Sequence, residues 1–433
     1  IDYARQLLPP FKDSIMGMHA LTDRMSTKAK QYFIREINAL HSEPDKIRFQ
    51  RIEPLTPQEL YYLIVLGEDE IYTSSYLGVY KRMWERMGSQ RADSLFLSVN
   101  GDYFRKFIKM AAGYNTLTDF LAKMDTVNAT TTMKAFVIKL ESTDGLEQAV
   151  DVADSYSSIM DKNPLLARYI ADQVKWNLER NVTSSNKRGI VIYNLLKILF
   201  ESADTSNQID LTKQLGIPSI YGQDYNSLTD DSGRVVQQVF FYGDEDKDGQ
   251  NSYENFMKMF KGKAEWKIQD NENWTSITSV KGKPVWIFAN KPLLGDDDPD
   301  AKAQAKLNEY LVSQNLKPSI VIHRGHSYHL QYTLNQLTPS AKIVVLGSCG
   351  GYNNLNEVLT ICKDAQIISS KQVGTRTVNE PILQAINNHL VGGKNIDWIS
   401  TWQELATRFK DAASKEKFED YIPPYKNLGA IFI

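Results

Sequence analysis

The spacing of apolar residues changes near the middle of the chain, and this change constrains the fold more than any other feature. Residues 1 to about 220 show helical spacing almost throughout, whereas residues 221–234 are rich in glycine, aspartate, serine and asparagine. Such turn-forming residues are typical of a connection between structural parts. The sequence therefore predicts an all-helical N-terminal domain over residues 1–225 and an α/β domain over residues 234–433.

Helix start signals support the first assignment. Thr56 precedes Pro57 and is followed three positions later by Glu59, the pattern of a capping box with proline in the first helical position. Pro164 follows Asn163 in the same way before another apolar stretch. Gly, Asn and Asp clusters separate the helical segments, which indicates stacked helical hairpins. Aromatic stripes in this region are best explained by helix packing.

Short β-branched runs alternate with helical segments in the second half. This alternation predicts a mostly parallel sheet flanked by helices and joined by right-handed crossovers. Ligands bind at the carboxyl ends of the strands in such sheets. The predicted strands are 235–241, 264–269, 285–289, 319–323, 342–346 and 366–370. The predicted helices are 253–260, 301–313, 353–361 and 378–391, the last with a capping box formed by Thr377 and Glu380.

One of the two cysteines follows a predicted strand end. The apolar run 342–346 leads into Gly347-Ser348-Cys349-Gly350-Gly351, where small neighbours leave the sulfur unshielded and nearby backbone N–H groups can stabilise a thiolate or an oxyanion. A buried, inert cysteine in a glycine turn is the alternative for Cys349. Cys362 falls on the apolar face of the next helix, which indicates a core residue.

A cluster of histidines follows the preceding strand. His323, His326 and His329 lie within seven residues at the end of the predicted strand 319–323. If the two strands are parallel neighbours, their ends bring a histidine close to Cys349. A cysteine and a histidine so placed form a nucleophile and a general base.

These motifs resemble the caspase-like cysteine peptidases, a group that includes caspases, gingipains, clostripain and legumain. An apolar strand ending in Gly325-His326 and a following one ending in Ser348-Cys349-Gly350 carry the resemblance, which spans roughly residues 234 to 410. The gingipain and clostripain branch is the most similar. The resemblance implies a caspase-like fold and a cysteine endopeptidase that uses an acyl-thioester intermediate without a metal or organic cofactor.

The family pattern also implies individual roles and a location. Cys349 would be the nucleophile and His326 the general base and acid. The backbone positions implied for the oxyanion site are Gly325, Ser327, Cys349 and Gly350. The resemblance further implies a peptide or protein substrate and an exported bacterial protein, located in the periplasm, at the surface or outside the cell.

Two features depart from the family pattern. Ser327 stands where the family usually has glycine after the histidine, and the 22 residues between His326 and Cys349 are fewer than the family commonly has. A catalytically inactive caspase-like scaffold or binding protein is therefore the main alternative function.

Two other sites remain open from the residues alone. Gly347-x-Cys349-x-Gly351 also fits the nucleophile elbow of a cysteine-dependent α/β-hydrolase, although His389 is the one histidine downstream of it. His323, His326 and His329 could alternatively bind a metal ion, but no acidic helix partner is evident in the sequence.

Acidic loops follow two of the predicted strands. Asp244, Asp246 and Asp248 match early positions of a calcium-binding loop, but position twelve is Asn255, so a solvated loop is favoured over loose Ca²⁺ binding. Asp244, Asp296 and Asp397 are the predicted substrate-binding acids. They would favour a basic residue at P1, the substrate position immediately before the cleaved bond.

Charge and hydropathy argue against nucleic-acid binding and against a membrane span. The formal net charge of −2 and the isoelectric point of about 6.4 do not indicate a nucleic-acid-binding protein. No apolar run reaches the ~18 residues that a membrane span needs. The oligomeric state is not determined by these features.

Overall fold

The computed structural model describes residues 18–160, 162–203, 207 and 209–433. It divides the chain into two compact units, residues 1–110 and residues 111–433. The predicted domain boundary near residue 230 follows the change in secondary structure, whereas the compact units divide at residue 110. Helices between residues 111 and 215 thus belong to the same unit as the sheet.

The described part of the first unit is helical. The predicted capping box is confirmed, since Thr56 accepts a hydrogen bond from the Glu59 backbone and the Glu59 side chain returns one to the Thr56 N–H. Its helices are α1 (Met18–Lys28), α2 (Arg35–Ala39), α3 (Asp45–Arg48), α4 (Pro57–Leu66), α5 (Thr73–Met87), α6 (Ala92–Ser98) and α7 (Phe104–Gly113), which crosses the division.

The second unit begins with more helices. The predicted start at Asn163 is confirmed, because its side chain caps the helix and Pro164 follows in the first turn. These helices are α8 (Leu117–Ala122), α9 (Thr126–Val137), α10 (Glu147–Met160), α11 (Pro164–Thr183), α12 (Lys187–Ala203) and α13 (Leu211–Leu215). None of the described helices is long and apolar enough to cross a membrane.

The rest of this unit contains the sheets. A two-stranded sheet pairs β1 (Gly222–Gln223) with β9 (Ile396–Asp397). The large sheet has eight strands in the order β10-β8-β7-β6-β2-β5-β4-β3. Its strands are β2 (Val235–Phe241), β3 (Trp266–Asp270), β4 (Trp274–Ser279), β5 (Val285–Asn290), β6 (Ile320–Arg324), β7 (Ile343–Leu346), β8 (Gln366–Ser370) and β10 (Tyr421–Ile422).

Helices cover both faces of the large sheet, because every residue of its central strands is buried and successive side chains point to opposite faces. Ile320 and Ile322 of β6 face one apolar core, and Val321 faces another. The helices of this region are α14 (Asp248–Lys258), α15 (Pro299–Ser313), α16 (Leu330–Leu334), α17 (Leu355–Ile361), α18 (Arg376–Val391), α19 (Trp398–Ala406), α20 (Ala412–Glu419) and α21 (Leu428–Phe432). The predicted helical region and flanked α/β sheet are thereby confirmed at this coarse level.

Strands at both edges of the sheet differ from the prediction. β5-β2-β6-β7-β8 are parallel neighbours, whereas β3, β4 and β10 pair antiparallel. β4 and β10 were not predicted. β4 is rich in serine and threonine, and β10 has two residues, so neither gives a strong apolar signal.

Two local predictions are corrected by the structure. Thr375, not Thr377, caps α18, and the Glu380 carboxylate binds Arg324 instead of closing a capping box. The predicted connection 221–234 contains β1 and the short helix Asn226–Leu228, and it buries Tyr225 and Leu228 in the core.

Candidate active site

The histidine and cysteine motifs lie at the same edge of the sheet. β6 and β7 are parallel neighbours, with His323 in register with Leu346 at their carboxyl ends. The loops that follow carry His326 and Cys349. The expected adjacency of these two strands is confirmed, and it follows from the short connection through α16.

The turn that holds Cys349 is shaped by glycines. Gly350 has φ +62°, a left-handed conformation that a residue with a side chain adopts at a cost. Gly374 packs directly on the turn, because a Cβ built there would lie 2.3 Å from the Gly347 oxygen and 3.0 Å from the Cys349 nitrogen. The Gly350 N–H donates to the Gln372 carbonyl at 2.8 Å. The turn is therefore packed against the segment that follows β8.

Cys349 is partly exposed and is not in a disulfide. Burial raises the pKa of its thiol, the Gly374 backbone N–H opposes this effect, and the negative charge of Asp248 reinforces it. No side chain in the described part of the chain is hydrogen-bonded to the sulfur. The thiol is therefore the resting form near neutral pH.

Asp246 holds the His326 ring. Its Oδ2 lies 2.9 Å from His326 Nε2, and the histidine side chain is 22% exposed. The Tyr328 ring stacks on the imidazole with centroids 5.1 Å apart and an interplanar angle of 18°. Contacts at one nitrogen and along one ring face restrict the orientation of the histidine.

A second pair of acid and histidine supports Tyr328. The Tyr328 hydroxyl donates to Asp244 Oδ1 at 2.9 Å, and His329 Nε2 lies 2.8 Å from the same oxygen. Burial alone would raise the pKa of Asp244, but the hydrogen bonds from His329 and Tyr328 and the charges of His329 and His326 outweigh it and lower that pKa. Asp244 is thus ionised and buried, and it anchors the segment 325–329, which we call the histidine loop.

His323 has a structural role. It is fully buried, with Nδ1 2.7 Å from the Thr333 hydroxyl, and Thr333 in turn contacts the Tyr242 hydroxyl at 2.6 Å. Burial lowers the pKa of His323 to about 3, so its ring is neutral. Gly325 lies against Tyr242, where a Cβ would meet the ring at 2.7 Å.

A buried ion pair lies beside these loops. Arg324, the last residue of β6, is 2% exposed, and its Nη2 donates to Glu380 of α18 at 2.7 Å. Its charge and that of the Cys349 thiolate both act on the pKa of Tyr421, which burial raises above its ordinary value. Arg324 and Cys349 therefore both lie within electrostatic range of the Tyr421 hydroxyl.

The predicted oxyanion donors differ in their availability. Among the described residues, the Ser327 N–H has no backbone acceptor, the Cys349 N–H interacts with its own sulfur, and the Gly350 N–H donates to the Gln372 carbonyl. Gly325 has a packing role against Tyr242. The role predicted for Gly350 would require its bond to Gln372 to break.

The predicted substrate-binding acids are not brought together. Asp244 is buried beneath the histidine loop, and Asp296 is exposed in the loop after β5. Asp397 caps α19 by accepting from the Ser400 N–H and is paired with Gly222. Gly222 contacts Gln366 at the amino end of β8, so Asp397 lies at the sheet edge opposite Cys349.

The acidic loop after β2 is engaged with histidines. Asp244 and Asp246 bind His329 and His326, and among the described residues the three carboxylates that include Asp248 do not converge on one metal-sized point. His323, His326 and His329 do not converge either.

Sequence reasoning missed the roles of Asp246, Asp248, Tyr328 and Gly374. A signal existed for the first two, because the loop after β2 is rich in aspartate and β2 is the other neighbour of β6. No local pattern identifies Gly374, since its role depends on packing against a segment from another strand.

Comparisons of the chain with protein-family models, curated proteins and solved structures found no match.

Proposed function

We propose that the chain is a cysteine peptidase in which Cys349 is the nucleophile and His326 the general base and acid. The observation that carries this proposal is the placement of both residues after adjacent parallel strands, with the Asp246 carboxylate 2.9 Å from His326 Nε2. Nucleophile, base and orienting acid are the three parts that such catalysis requires. The resemblance to gingipains and clostripain points to the same reaction.

The reaction begins from a protonated thiol. As Cys349 Sγ attacks the peptide carbonyl carbon, His326 takes the thiol proton, and Asp246 stabilises the imidazolium that forms. The N–H groups of Cys349 and Ser327 are the candidate donors to the oxyanion. The C–N bond then breaks, and the amine leaves with the proton from His326. Water hydrolyses the thioester and restores the thiol.

An acid near Cys349 would favour a basic substrate residue. The Asp248 charge raises the pKa of Cys349, which places this carboxylate within electrostatic range of the sulfur. A lysine or arginine side chain of the substrate would offset that charge. Asp248 therefore replaces Asp244, Asp296 and Asp397 as the acid best placed for this preference.

A peptide-library digest tests the proposal. We expect cleavage by the wild type and none by Cys349→Ala, because Cys349 supplies the nucleophile and Cys362, the other cysteine, is buried. Asp246→Asn should lower the rate of cleavage about 100-fold, in the range that general acid–base catalysis contributes. Asp297→Asn is the matched control, since Asp297 is exposed and forms an ion pair with Lys302 at 3.8 Å on the surface, and its rate should be unchanged.

An inactive scaffold is the second candidate. The raised pKa of the Cys349 thiol and the occupied Gly350 N–H favour it. Alkylation by iodoacetamide separates the candidates when it is measured at Cys349 by peptide mass spectrometry. Equal cleavage by wild type and Cys349→Ala, or no cleavage together with alkylation no faster than a model thiol over pH 6–9, would favour the scaffold.

A further inference from the structure

Cys349 lies in the segment 347–352, which we call the nucleophile loop, and this loop packs against the segment 371–375, which we call the β8 loop. They contact one another through Gly374, which lies on the Ser348–Cys349 peptide, and through the hydrogen bond between Gly350 and Gln372. Movement of either loop would therefore displace the sulfur.

Each loop is also hydrogen-bonded to α10, a helix that precedes the sheet. Tyr352, at the end of the nucleophile loop, is 4% exposed, and its hydroxyl donates to Asp154 Oδ1 at 2.6 Å. Lys371, at the start of the β8 loop, is 2% exposed, and its Nζ donates to the Ser158 hydroxyl at 2.6 Å. Asp154 and Ser158 both belong to α10, four residues apart, so they lie on the same helix face.

The Lys371 and Tyr352 side chains also contact each other. Lys371 Nζ lies 4.4 Å from the centre of the Tyr352 ring, a cation–π distance. Asp154 also accepts the Gly429 N–H at 3.0 Å, which fixes the carboxylate. The result is a continuous network from α10 to both loops, in which Tyr352 and Lys371 are buried and Asp154 and Ser158 are half-buried.

We propose that α10 braces the nucleophile loop through Asp154–Tyr352 and Ser158–Lys371 and thereby sets the reactivity of Cys349. This inference deepens the proposed function, on which its catalytic part rests. It assigns a positioning role to four residues that contact neither the sulfur nor the proposed base. It also gives α10, one of the helices that precede the sheet, an indirect role in catalysis.

The charges around the brace are consistent with a rigid connection. Burial lowers the pKa of Lys371 to about 8, although the Asp154 and Asp420 carboxylates raise it and the Lys162 charge lowers it further. Burial also raises the pKa of Tyr352 well above its ordinary value, as do the charge of Asp154 and the hydrogen bond to it. At neutral pH the network thus contains an ammonium, a neutral phenol and a carboxylate, which attract one another in a site sheltered from water.

Adjacent serines of α10 provide a matched test. Ser158→Ala removes the bond that the Ser158 hydroxyl accepts from Lys371. Ser157→Ala removes a bond that the Ser157 hydroxyl donates to the Lys426 carbonyl, 2.8 Å long and outside both loops. In Ser158→Ala, water should enter beside the sulfur, so alkylation of Cys349 at pH 7 should rise. The expected factor is about tenfold, which corresponds to the lower end of the range for a hydrogen bond from a charged donor. Ser157→Ala should alkylate at the wild-type rate.

Two further measurements separate positioning from loss of stability. Tyr352→Phe keeps the ring and removes only the hydroxyl, so it should change alkylation in the same direction as Ser158→Ala. All rates are compared at a temperature at which circular dichroism shows each variant fully folded. Peptide cleavage should fall in kcat with little change in KM, because the brace acts on the nucleophile and not on substrate binding.

The outcomes bear separately on the brace and on the proposed function. Wild-type alkylation rates in both Ser158→Ala and Tyr352→Phe would overturn the brace, as would an equal increase in Ser157→Ala. If Cys349→Ala cleaves peptides as well as the wild type, the peptidase proposal fails, while the alkylation result still decides the brace.

Discussion

Gly374 offers the sharpest test of the geometry around Cys349. A Cβ at this position would lie 2.3 Å from the Gly347 oxygen, 2.6 Å from the Ser348 carbonyl carbon and 3.0 Å from the Cys349 nitrogen. Ordinary contacts of a Cβ begin at 3.4 Å, and all three neighbours are backbone atoms that cannot rotate away. Gly374→Ala must therefore displace the nucleophile turn or the β8 loop by about 1 Å.

This displacement should affect catalysis more than folding. Overpacking of this kind costs roughly 1–3 kcal/mol of stability. A misplacement of about 1 Å in an active site can cost about 100-fold in rate. We therefore expect kcat/KM for peptide cleavage to fall by about two orders of magnitude while the chain stays folded.

Denaturant unfolding and cleavage kinetics of the same preparation provide the assay. Gly392→Ala is the control, because its Cβ would lie 3.2 Å from the Asn388 oxygen at the far end of α18, and φ there is −73°. Its kinetics should match the wild type. Wild-type kcat/KM in Gly374→Ala, with the free energy of unfolding changed by less than about 0.5 kcal/mol, would refute the close approach to the nucleophile turn.

Three further predictions concern charge. Asp248→Asn should lower the pKa of the nucleophilic thiol, which would raise its alkylation rate at pH 7 and weaken any preference for arginine over leucine at P1 in a peptide digest. Arg324→Met should destabilise the fold by roughly 3 kcal/mol, because it leaves the Glu380 carboxylate without its buried partner; Lys81→Met, which breaks an exposed pair, should cost at most about 0.5 kcal/mol in the same denaturant titration. Burial raises the pKa of Asp420 from 3.8 to about 6. The folded state therefore favours the protonated carboxyl, and this contribution is complete below pH 4 and lost as the pH rises through 6. Stability should fall by up to about 3 kcal/mol over that interval, and Asp420→Asn should remove this fall.

The sequence alone predicted the elements whose signals are local. β2 and β8 have the predicted bounds, and the Thr56 capping box forms as expected, because these features depend on short apolar runs and on contacts within one helical turn. The adjacency of the Cys349 and His326 strands also followed from local information. Two parallel strands that are joined by a short connection usually occupy neighbouring positions in the sheet.

The edge strands and the capping of α18 required the tertiary structure. β10 has two residues and exists because Tyr421 pairs with Ser370 of β8. Glu380 follows a threonine at capping spacing, but a buried arginine from another strand binds it more favourably than the helix N-terminus does. Long-range partners override local preference wherever burial makes an unpaired charge costly.

The site shows the same division between local and long-range information. The sequence by itself determined that a cysteine and a histidine follow adjacent strands of a helix-flanked sheet. Only the tertiary structure decided that Asp246 holds His326 across 80 residues, and that α10 reaches Tyr352 and Lys371 across 198 and 213 residues. A strand is visible in the sequence because its side chains alternate between two faces with a period of two residues. Contacts between loops depend on how distant segments pack in the folded chain, and no local sequence pattern predicts them.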